Sequence, residues 1–240
     1  MLGRFLEISV HAPSILESLS FYETLGFQQL ATNETWPYPY AVISDGRLFI
    51  GLHQQPIPSP TLTFTHAELA HQVARLHALD IVPDREHLSS DSFNELSFHA
   101  PNGQHIKLLE ARTFSPADIE ATFSSSCGYF VEYAMPVKEF STAKAFWEQL
   151  GFVAMDEEAH PFNRLSLTSD YLNLGLHRSR ALRHPLLVFE DDEMRERLAH
   201  LKERGIALSD EMPDSLDEHC NAVLIAPEGT RLLLMQNATD

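Results

Sequence analysis

The stretch FLEISVHAPSILESLSFYETLGF, residues 5–27, has a second copy in this chain of 240 residues. That copy, FVEYAMPVKEFSTAKAFWEQLGF, covers residues 130–152 and aligns with the first without a gap. Each copy predicts a strand, a turn and an amphipathic helix that stops at a glycine. Each also carries one carboxylate, Glu7 or Glu132, in the middle of an apolar strand. A carboxylate in such a strand needs a partner, so both residues mark candidate sites.

The repetition extends over nearly the whole chain. A strand ending in Gly-Leu-His recurs at residues 51–53 and 175–177, and a Pro-x-Gly turn recurs at residues 101–103 and 227–229. The two copies stay about 125 residues apart throughout. A constant offset between long segments indicates a duplication, so the chain has two similar halves.

Within each half, the order strand, helix and further strands occurs twice. We therefore predict an α+β fold built from four βαβββ units in two domains. The first domain covers residues 1–112 and the second covers residues 128–238. The segment between them, residues 113–127, is polar and contains a Ser-Pro pair, so we predict a linker there.

The composition narrows the possible partners. A hydrophobic fraction of 44% and an aromatic fraction of 10% are typical of a globular protein. The formal net charge of -17 opposes binding to nucleic acid or to an anionic membrane, so we expect neither as a partner. The two cysteines, Cys127 and Cys220, form no disulfide framework, which favours a cytoplasmic location.

Together, the four units, the helix ends FYETLGF and FWEQLGF, the Gly-Leu-His strands and the Pro-x-Gly turns resemble the vicinal oxygen chelate superfamily. This superfamily includes glyoxalase I, bleomycin and fosfomycin resistance proteins and extradiol dioxygenases. The resemblance covers about residues 4–111 and 128–237. It implies two glyoxalase-like domains, each with a mixed sheet curled into a cup that receives a small-molecule ligand. One fold hosts many chemistries, so it does not identify the reaction.

The resemblance also implies side chains that point into each cup from the first and last strands of each unit. In the first half these positions fall on Glu7, on Gly51 or His53, on Thr61 and on Lys107. Metal-dependent members of the superfamily carry a glutamate where this chain has Lys107. The first cup therefore departs from their ligand set.

A partial metal site remains possible in the first domain. His105 lies two residues before Lys107 and shares its face of the strand. Glu7, His53 and His105 then make a two-histidine, one-carboxylate set suited to a divalent metal such as Fe, Zn, Ni or Mn. The ammonium of Lys107 opposes this arrangement because it repels a cation. In the other interpretation, Glu7 and Lys107 form an ion pair inside the cup. The same two residues are the candidates for a catalytic role.

The second half offers fewer polar groups at the equivalent positions. Glu132 and His177 are its candidate ligand-binding residues, while Leu186 and Leu233 occupy the other two positions. The sequence also leaves open whether the units pair within each half or across the halves. Neither pairing completes a metal-ligand set.

An aromatic run, Trp36-Pro37-Tyr38-Pro39-Tyr40, precedes the third predicted strand. Trp36 and Tyr38 are candidates to cover the cup and to stack on a planar ligand. The alternative is a loop that is fixed by its prolines and packs only on its own domain.

Three functions follow from these observations. The preferred one is a small-molecule-binding protein of the glyoxalase and bleomycin-resistance type, with an incomplete metal-ligand set. The others are a metal-dependent lyase, isomerase or dioxygenase, and a non-catalytic scaffold. The replacement of both terminal-strand glutamates by Lys107 and Leu233 favours the binding protein. Four units in one chain can form two cups alone, so a monomer is expected, and a homodimer is also compatible.

Overall fold

The computed structural model describes residues 2–32, 36–89, 94–111 and 125–237. Within these ranges, two mixed β-sheets and four helices form the structure, and each sheet belongs to one half of the sequence. The predicted α+β class is confirmed. Most of the predicted linker lies outside the described residues, so its structure is not tested.

The first sheet is built from the first two units. Its strands are β1 (Arg4–His11), β2 (Gln28–Leu30), β3 (Tyr40–Ser44), β4 (Phe49–His53), β5 (Thr61–His66), β6 (Arg85–His87), β7 (Glu95–His99) and β8 (His105–Glu110). They lie in the order β2-β3-β4-β1-β5-β8-β7-β6. The central strands β1 and β5 are antiparallel, while β4 runs parallel to β1 and β8 runs parallel to β5. The first strands of the two units are therefore neighbours at the centre of the cup.

The second sheet repeats this plan. Its strands are β9 (Tyr129–Pro136), β10 (Val153–Glu158), β11 (Arg164–Thr168), β12 (Leu174–His177), β13 (Leu186–Asp191), β14 (Ala222–Ile225) and β15 (Arg231–Gln236). They lie in the order β10-β11-β12-β9-β13-β15-β14. The fourth unit, all of which is described, differs from the predicted pattern because only two strands follow its helix. An isolated bridge between Ser209 and Val223 takes the place of the third.

The described strand pairs all join residues of the same half, so the units pair within the halves and not across them. The helices α1 (Ile15–Thr24), α2 (Leu69–Ala78), α3 (Phe140–Gln149) and α4 (Met194–Glu203) each follow the first strand of a unit. They pack against one face of the sheets, where Ile8 and Val10 of β1 are buried in the main hydrophobic core. Because side chains alternate along a strand, Glu7 and Ser9 point to the opposite face.

The two domains are joined through a shared core and through polar contacts. The main hydrophobic cluster includes Tyr22 of the first half and Trp147 of the second. Glu228, in the Pro-x-Gly turn of the second domain, accepts hydrogen bonds from the hydroxyl groups of Ser18 and Tyr22, both at 2.7 Å. These bonds attach helix α1 to the opposite domain. Among the described residues, no helix is long and apolar enough to span a membrane.

Candidate functional site

The concave face of the first sheet collects most of the residues that the sequence singled out. The strand register places Glu7 opposite Thr63, and Thr63 beside Lys107. It also places Thr61 beside His105. These side chains come from strands that are adjacent in the sheet, so the cup brings together residues that are up to a hundred positions apart in the sequence.

Glu7 is a buried carboxylate of this face, with an exposure of 3%. Its Oε1 accepts hydrogen bonds from Ser9 Oγ at 2.6 Å and from His53 Nε2 at 3.0 Å. Its Oε2 accepts one from the hydroxyl of Tyr40 at 2.5 Å. The carboxylate of Glu7 fits because residue 51, on the adjacent strand β4, is a glycine. A Cβ at that position would come within 2.2 Å of Oε1 of Glu7.

Three donors keep this carboxylate ionised. Burial raises the pKa of Glu7, but the hydrogen bond and electrostatic interaction with His53, together with the hydrogen bonds from Ser9 and Tyr40, outweigh that effect and lower it. An ionised carboxylate accepts hydrogen bonds only, so His53 must donate its Nε2–H. In a neutral ring the other nitrogen, Nδ1, then accepts from the hydroxyl of Tyr38, which lies 3.1 Å away. Glu7 thus fixes the orientation of an imidazole that reaches the cavity, as acid–base sites require.

Lys107 does not pair with Glu7, so the predicted ion pair between them is wrong. Its Nζ lies 2.6 Å from Oε2 of Glu95, while Nε of Arg85 lies 2.8 Å from Oε1 of the same carboxylate. The register of β7 and β8 pairs Ser97 with Lys107, so Glu95, two residues before Ser97 on the same face, lies diagonally across from Lys107 on the edge side of the sheet. Lys107 Nζ also lies 5.1 Å from the ring centre of Trp36.

His105 is held by Thr61. The hydroxyl of Thr61 donates its proton to the carbonyl of Pro58 at 2.6 Å, so its bond of 2.8 Å to His105 Nδ1 must be donated by the ring. Burial, followed by His99 and Lys107, lowers the pKa of His105 to about 4. The ring is therefore neutral at pH 7, with its proton on Nδ1.

These contacts do not fit a divalent metal. The carboxylate of Glu7 is occupied by three hydrogen-bond donors, and both nitrogens of His53 have partners. His105 bonds Thr61 instead of joining them, and Lys107 places a positive charge in the same cup. Among the described residues, no group of three His, Cys, Asp or Glu side chains is arranged to hold a metal ion. The predicted set of Glu7, His53 and His105 is not assembled.

A cavity of about 400 Å³ opens above these strands. His53, His105 and Lys107 line it together with the hydroxyl groups of Ser9, Thr61, Thr63 and Ser97. Trp36 and Tyr38 form another wall, with their rings stacked at 5.7 Å and an interplanar angle of 22°. The structure thus places both predicted aromatic residues at the cavity.

Sequence reasoning missed four contributors to this site: Tyr40, Arg85, Glu95 and Ser9. Tyr40 belongs to the aromatic run, and Ser9 follows Glu7 on the same face of β1, so alternation was a usable signal for both. Arg85 and Glu95 had no such signal. Their place depends on how β6 pairs with β7 and how β7 pairs with β8, which the sequence does not specify.

The second cup is filled by side chains. An apolar cluster occupies its concave face, with the buried members Ala134, Leu182, Leu186, Val188, Leu216, Val223, Leu233 and Met235, and with Phe162 and Met212 packed against them. Leu182, Met212 and Leu216 come from the segments that follow β12 and α4.

The two polar candidates of the second cup are enclosed by this packing. Glu132 accepts a hydrogen bond from Ser166 at 2.8 Å, and burial raises its pKa. His177 is 1% exposed, and neither ring nitrogen has a hydrogen-bond partner. A ligand would reach these two residues only after the apolar cluster moved, so their predicted role in ligand binding stays a prediction.

Comparisons with known proteins give a fold and no sequence family. No protein-family model matches the chain, and no curated protein matches its sequence. Among solved structures it is similar to a catechol 2,3-dioxygenase, with 14% identity, a TM-score of 0.62, and coverage of 98% of this chain and 87% of that one. The 2,3-dioxygenase LapB from Pseudomonas sp. KL28 has 13% identity to this chain and a TM-score of 0.64, with coverage of 98% of this chain and 92% of that one.

Homoprotocatechuate 2,3-dioxygenase from Arthrobacter globiformis gives 11% identity, a TM-score of 0.61, and coverage of 98% of this chain and 80% of that one. At these identities the similarity concerns the backbone arrangement and not the chemistry. It extends over both halves of the chain. The chain therefore has the two-domain fold of these 2,3-dioxygenases, which belong to the vicinal oxygen chelate superfamily.

Proposed function

We propose that the protein binds a small organic molecule in the cup of its first domain, and that the second domain is a structural support. The observation that carries the proposal is the difference between the two cups. The first encloses a cavity of about 400 Å³ with polar and aromatic walls, and the second holds a packed apolar cluster at the equivalent positions. A pocket of this size, with a few placed polar groups, is typical of small-molecule sites.

The first cup offers three kinds of contact to a ligand. Trp36 and Tyr38 provide flat apolar surface. The hydroxyl groups of Thr63 and Ser97 provide polar contacts on the sheet. His53, held by Glu7, provides an oriented imidazole. None of these contacts requires a metal ion.

The competing function is a metal-dependent lyase, isomerase or dioxygenase. It is supported by solved structures that share the fold, because these proteins are named dioxygenases. The donor set of the first cup opposes it, because Lys107 stands where metal-dependent members of the superfamily have a glutamate. A scaffold without a ligand is opposed by the cavity itself.

Tryptophan fluorescence tests the proposal. The chain has two tryptophans, and Trp147 is fully buried in the core shared by the domains. In a Trp147→Phe variant, Trp36 at the cavity is the one remaining indole. We expect members of a library of small aromatic and aliphatic compounds to quench this emission saturably, in the presence of a chelator. Absence of saturable quenching across the library would contradict the proposal.

Elemental analysis separates the two functions. We expect the purified protein to carry less than stoichiometric Fe, Zn, Ni or Mn, and ligand binding to be unchanged by the chelator. Stoichiometric metal that is lost in Glu7→Ala would support the metal-dependent enzyme instead. We further propose a cytoplasmic monomer or homodimer that binds neither nucleic acid nor membranes, in line with its net charge of -17.

A further inference from the structure

We propose that the ligand of the first cup is a small organic monoanion, whose negative group binds Lys107 and Arg85 and whose flat body lies against Trp36. This inference rests on the proposed function, because it names the class of molecule that the same cavity takes. Its basis is the charge and the hydrogen-bonding capacity of the side chains that line the cavity.

The ionised cluster at the edge of the cavity carries one unbalanced positive charge. Lys107 and Arg85 both contact Glu95, one on each carboxylate oxygen. All three residues line the cavity. Two cations share one carboxylate, so a ligand with a single negative charge would bring the net charge of these three side chains and the ligand to zero. Lys107 is 24% exposed and Glu95 is 13% exposed, which makes this charge less screened than one on the open surface.

Among the described residues, Glu95 is the one carboxylate that lines the cavity. Glu7 keeps its negative charge, but it does not line the cavity, and its two oxygens already accept hydrogen bonds from Ser9, His53 and Tyr40. His105 is neutral at pH 7 because its pKa is lowered to about 4. Lys107 and Arg85 therefore remain the groups that set the sign of a bound ligand.

The hydrogen-bonding capacity of Lys107, Arg85 and Glu95 also favours an anionic ligand. A lysine ammonium and an arginine guanidinium are donors only, and each carries several N–H groups. One N–H group of each is directed to Glu95, which leaves the others for an acceptor in the cavity. Both oxygens of Glu95 already face a cation, so the cluster has little capacity for a cationic ligand. Carboxylates match such a donor pair well.

The aromatic wall defines the rest of the ligand. Lys107 Nζ lies 5.1 Å from the ring centre of Trp36, so a ligand group bound to Lys107 brings the attached atoms next to the indole. Trp36 and Tyr38 are stacked with an angle of 22° and extend this surface. A planar substituent gains stacking contact there. At the position of Lys107, the second cup has Leu233 within its apolar cluster, so this arrangement is confined to the first cup.

Binding of three probes of similar size and different charge tests the inference. Benzoate, benzamide and benzylamine are titrated into the full-length Trp147→Phe protein, and the quenching of Trp36 is measured. We expect benzoate to bind at least about tenfold more tightly than benzamide, and benzylamine to bind most weakly. In Lys107→Met, benzoate should lose about tenfold in affinity, as for the loss of one charge-assisted hydrogen bond, while benzamide is unchanged.

Three further variants keep the test decisive. Lys107→Glu should reverse the order, so that benzylamine binds more tightly than benzoate. Lys144→Met is the matched control, because Lys144 is exposed on helix α3 of the second domain and should leave all three affinities unchanged. If Lys107→Met does not fold, Arg85→Met takes its place in the test. Arg85 is 70% exposed, so we expect its substitution to leave the fold intact.

The possible results separate this inference from the proposed function. Equal affinities for benzoate and benzamide, both insensitive to Lys107→Met, would overturn the anion site and leave ligand binding intact. Displacement of benzoate by inorganic phosphate at equal affinity would overturn the role of the aromatic wall. No quenching by any of the three probes would overturn the inference, and no quenching by any member of the wider library would overturn the proposed function as well.

Discussion

The carboxylate of Glu7 lies where a side chain of residue 51 would be, and Gly51 leaves that space open. A Cβ built on Gly51 would come within 2.2 Å of Oε1 and 2.4 Å of Oε2 of Glu7. The same relationship recurs in the second domain, where a Cβ on Gly175 would come within 2.1 Å of Oε1 of Glu132. The glycine of each Gly-Leu-His strand is therefore explained by the carboxylate of the strand beside it.

Replacing this glycine tests the packing of the first cup. We expect Gly51→Ala to displace the Glu7 carboxylate and weaken its bonds to Ser9, Tyr40 and His53, which lowers the free energy of unfolding by about 2–4 kcal/mol. Chemical denaturation measures the change. In a Glu7→Ala background the clash is absent, so the same substitution should cost less than about 1 kcal/mol. Equal costs in both backgrounds would contradict the proposed contact.

The buried histidine of the second cup predicts a pH-dependent stability. Burial lowers the pKa of His177 to about 4, below its ordinary value of about 6.5. Between these values the unfolded chain binds the proton more readily, so stability is complete above about pH 6.5 and falls as the pH falls towards 4. His177 contributes about 3 kcal/mol to this loss.

A His177→Leu variant should remove that part of the pH dependence. It also removes two buried nitrogens without partners, so we expect it to be more stable than the parent protein at pH 5. Thermal unfolding from pH 4 to 8 provides the measurement, and His77→Leu on the exposed side of helix α2 is the control. Parallel stability curves for the parent and His177→Leu would show that His177 does not titrate as proposed.

Removal of one hydroxyl group, that of Tyr22, should weaken the polar contact between the domains. Tyr22→Phe removes the hydroxyl that donates to Glu228 and leaves the ring in the core. We expect a loss of about 1.5–3 kcal/mol in the free energy of unfolding, as for a hydrogen bond to a charged group. The control is Tyr171→Phe, because Tyr171 is 56% exposed and should change stability by less than about 0.5 kcal/mol. Similar effects of both variants would contradict a specific role of the Tyr22 hydroxyl.

The two cysteines should differ in reactivity. Burial raises the pKa of the fully buried Cys127 thiol to about 12, while Cys220 is partly exposed. With a disulfide reagent at pH 8, we expect one thiol of the native protein to react, and the second only in denaturant. Cys220→Ser should abolish the reaction of the native protein. A reactive thiol that persists in Cys220→Ser would show that Cys127 is accessible.

The sequence predicted the fold well because the repeat carries redundant information. Glycines at helix ends, hydrophobic periodicity and paired motifs occur in both halves of the sequence. The prediction for one half therefore supports the prediction for the other half. Gly26 and Gly151 both adopt positive φ angles at the helix ends, as predicted for stop signals. The pairing of units within the halves was not predictable, since the same motifs are compatible with either arrangement.

The chemistry of the site was less predictable because it depends on strand register and loops. The sequence allows an ion pair between Lys107 and Glu7 as one interpretation, since both occupy positions that the superfamily uses, but the pairing of β7 with β8 brings Glu95 to Lys107 instead. Leu186 and Leu233 distinguish the second cup from the first in the sequence, although each cup has a glutamate and a histidine. The filling of the second cup by Leu182 and Leu216 was not predictable, because these residues come from irregular segments whose path no periodicity specifies.

The confinement of strand pairing to each half has a consequence for the order of folding. Strands β1 to β8 need no residue beyond Glu110 to complete their hydrogen-bonded ladder, so the first sheet can form while the second half is still being synthesised. The contacts of Ser18 and Tyr22 with Glu228 need the last turn of the chain. Docking of the two domains is therefore expected to follow the formation of the first sheet and of the cavity that its own side chains line.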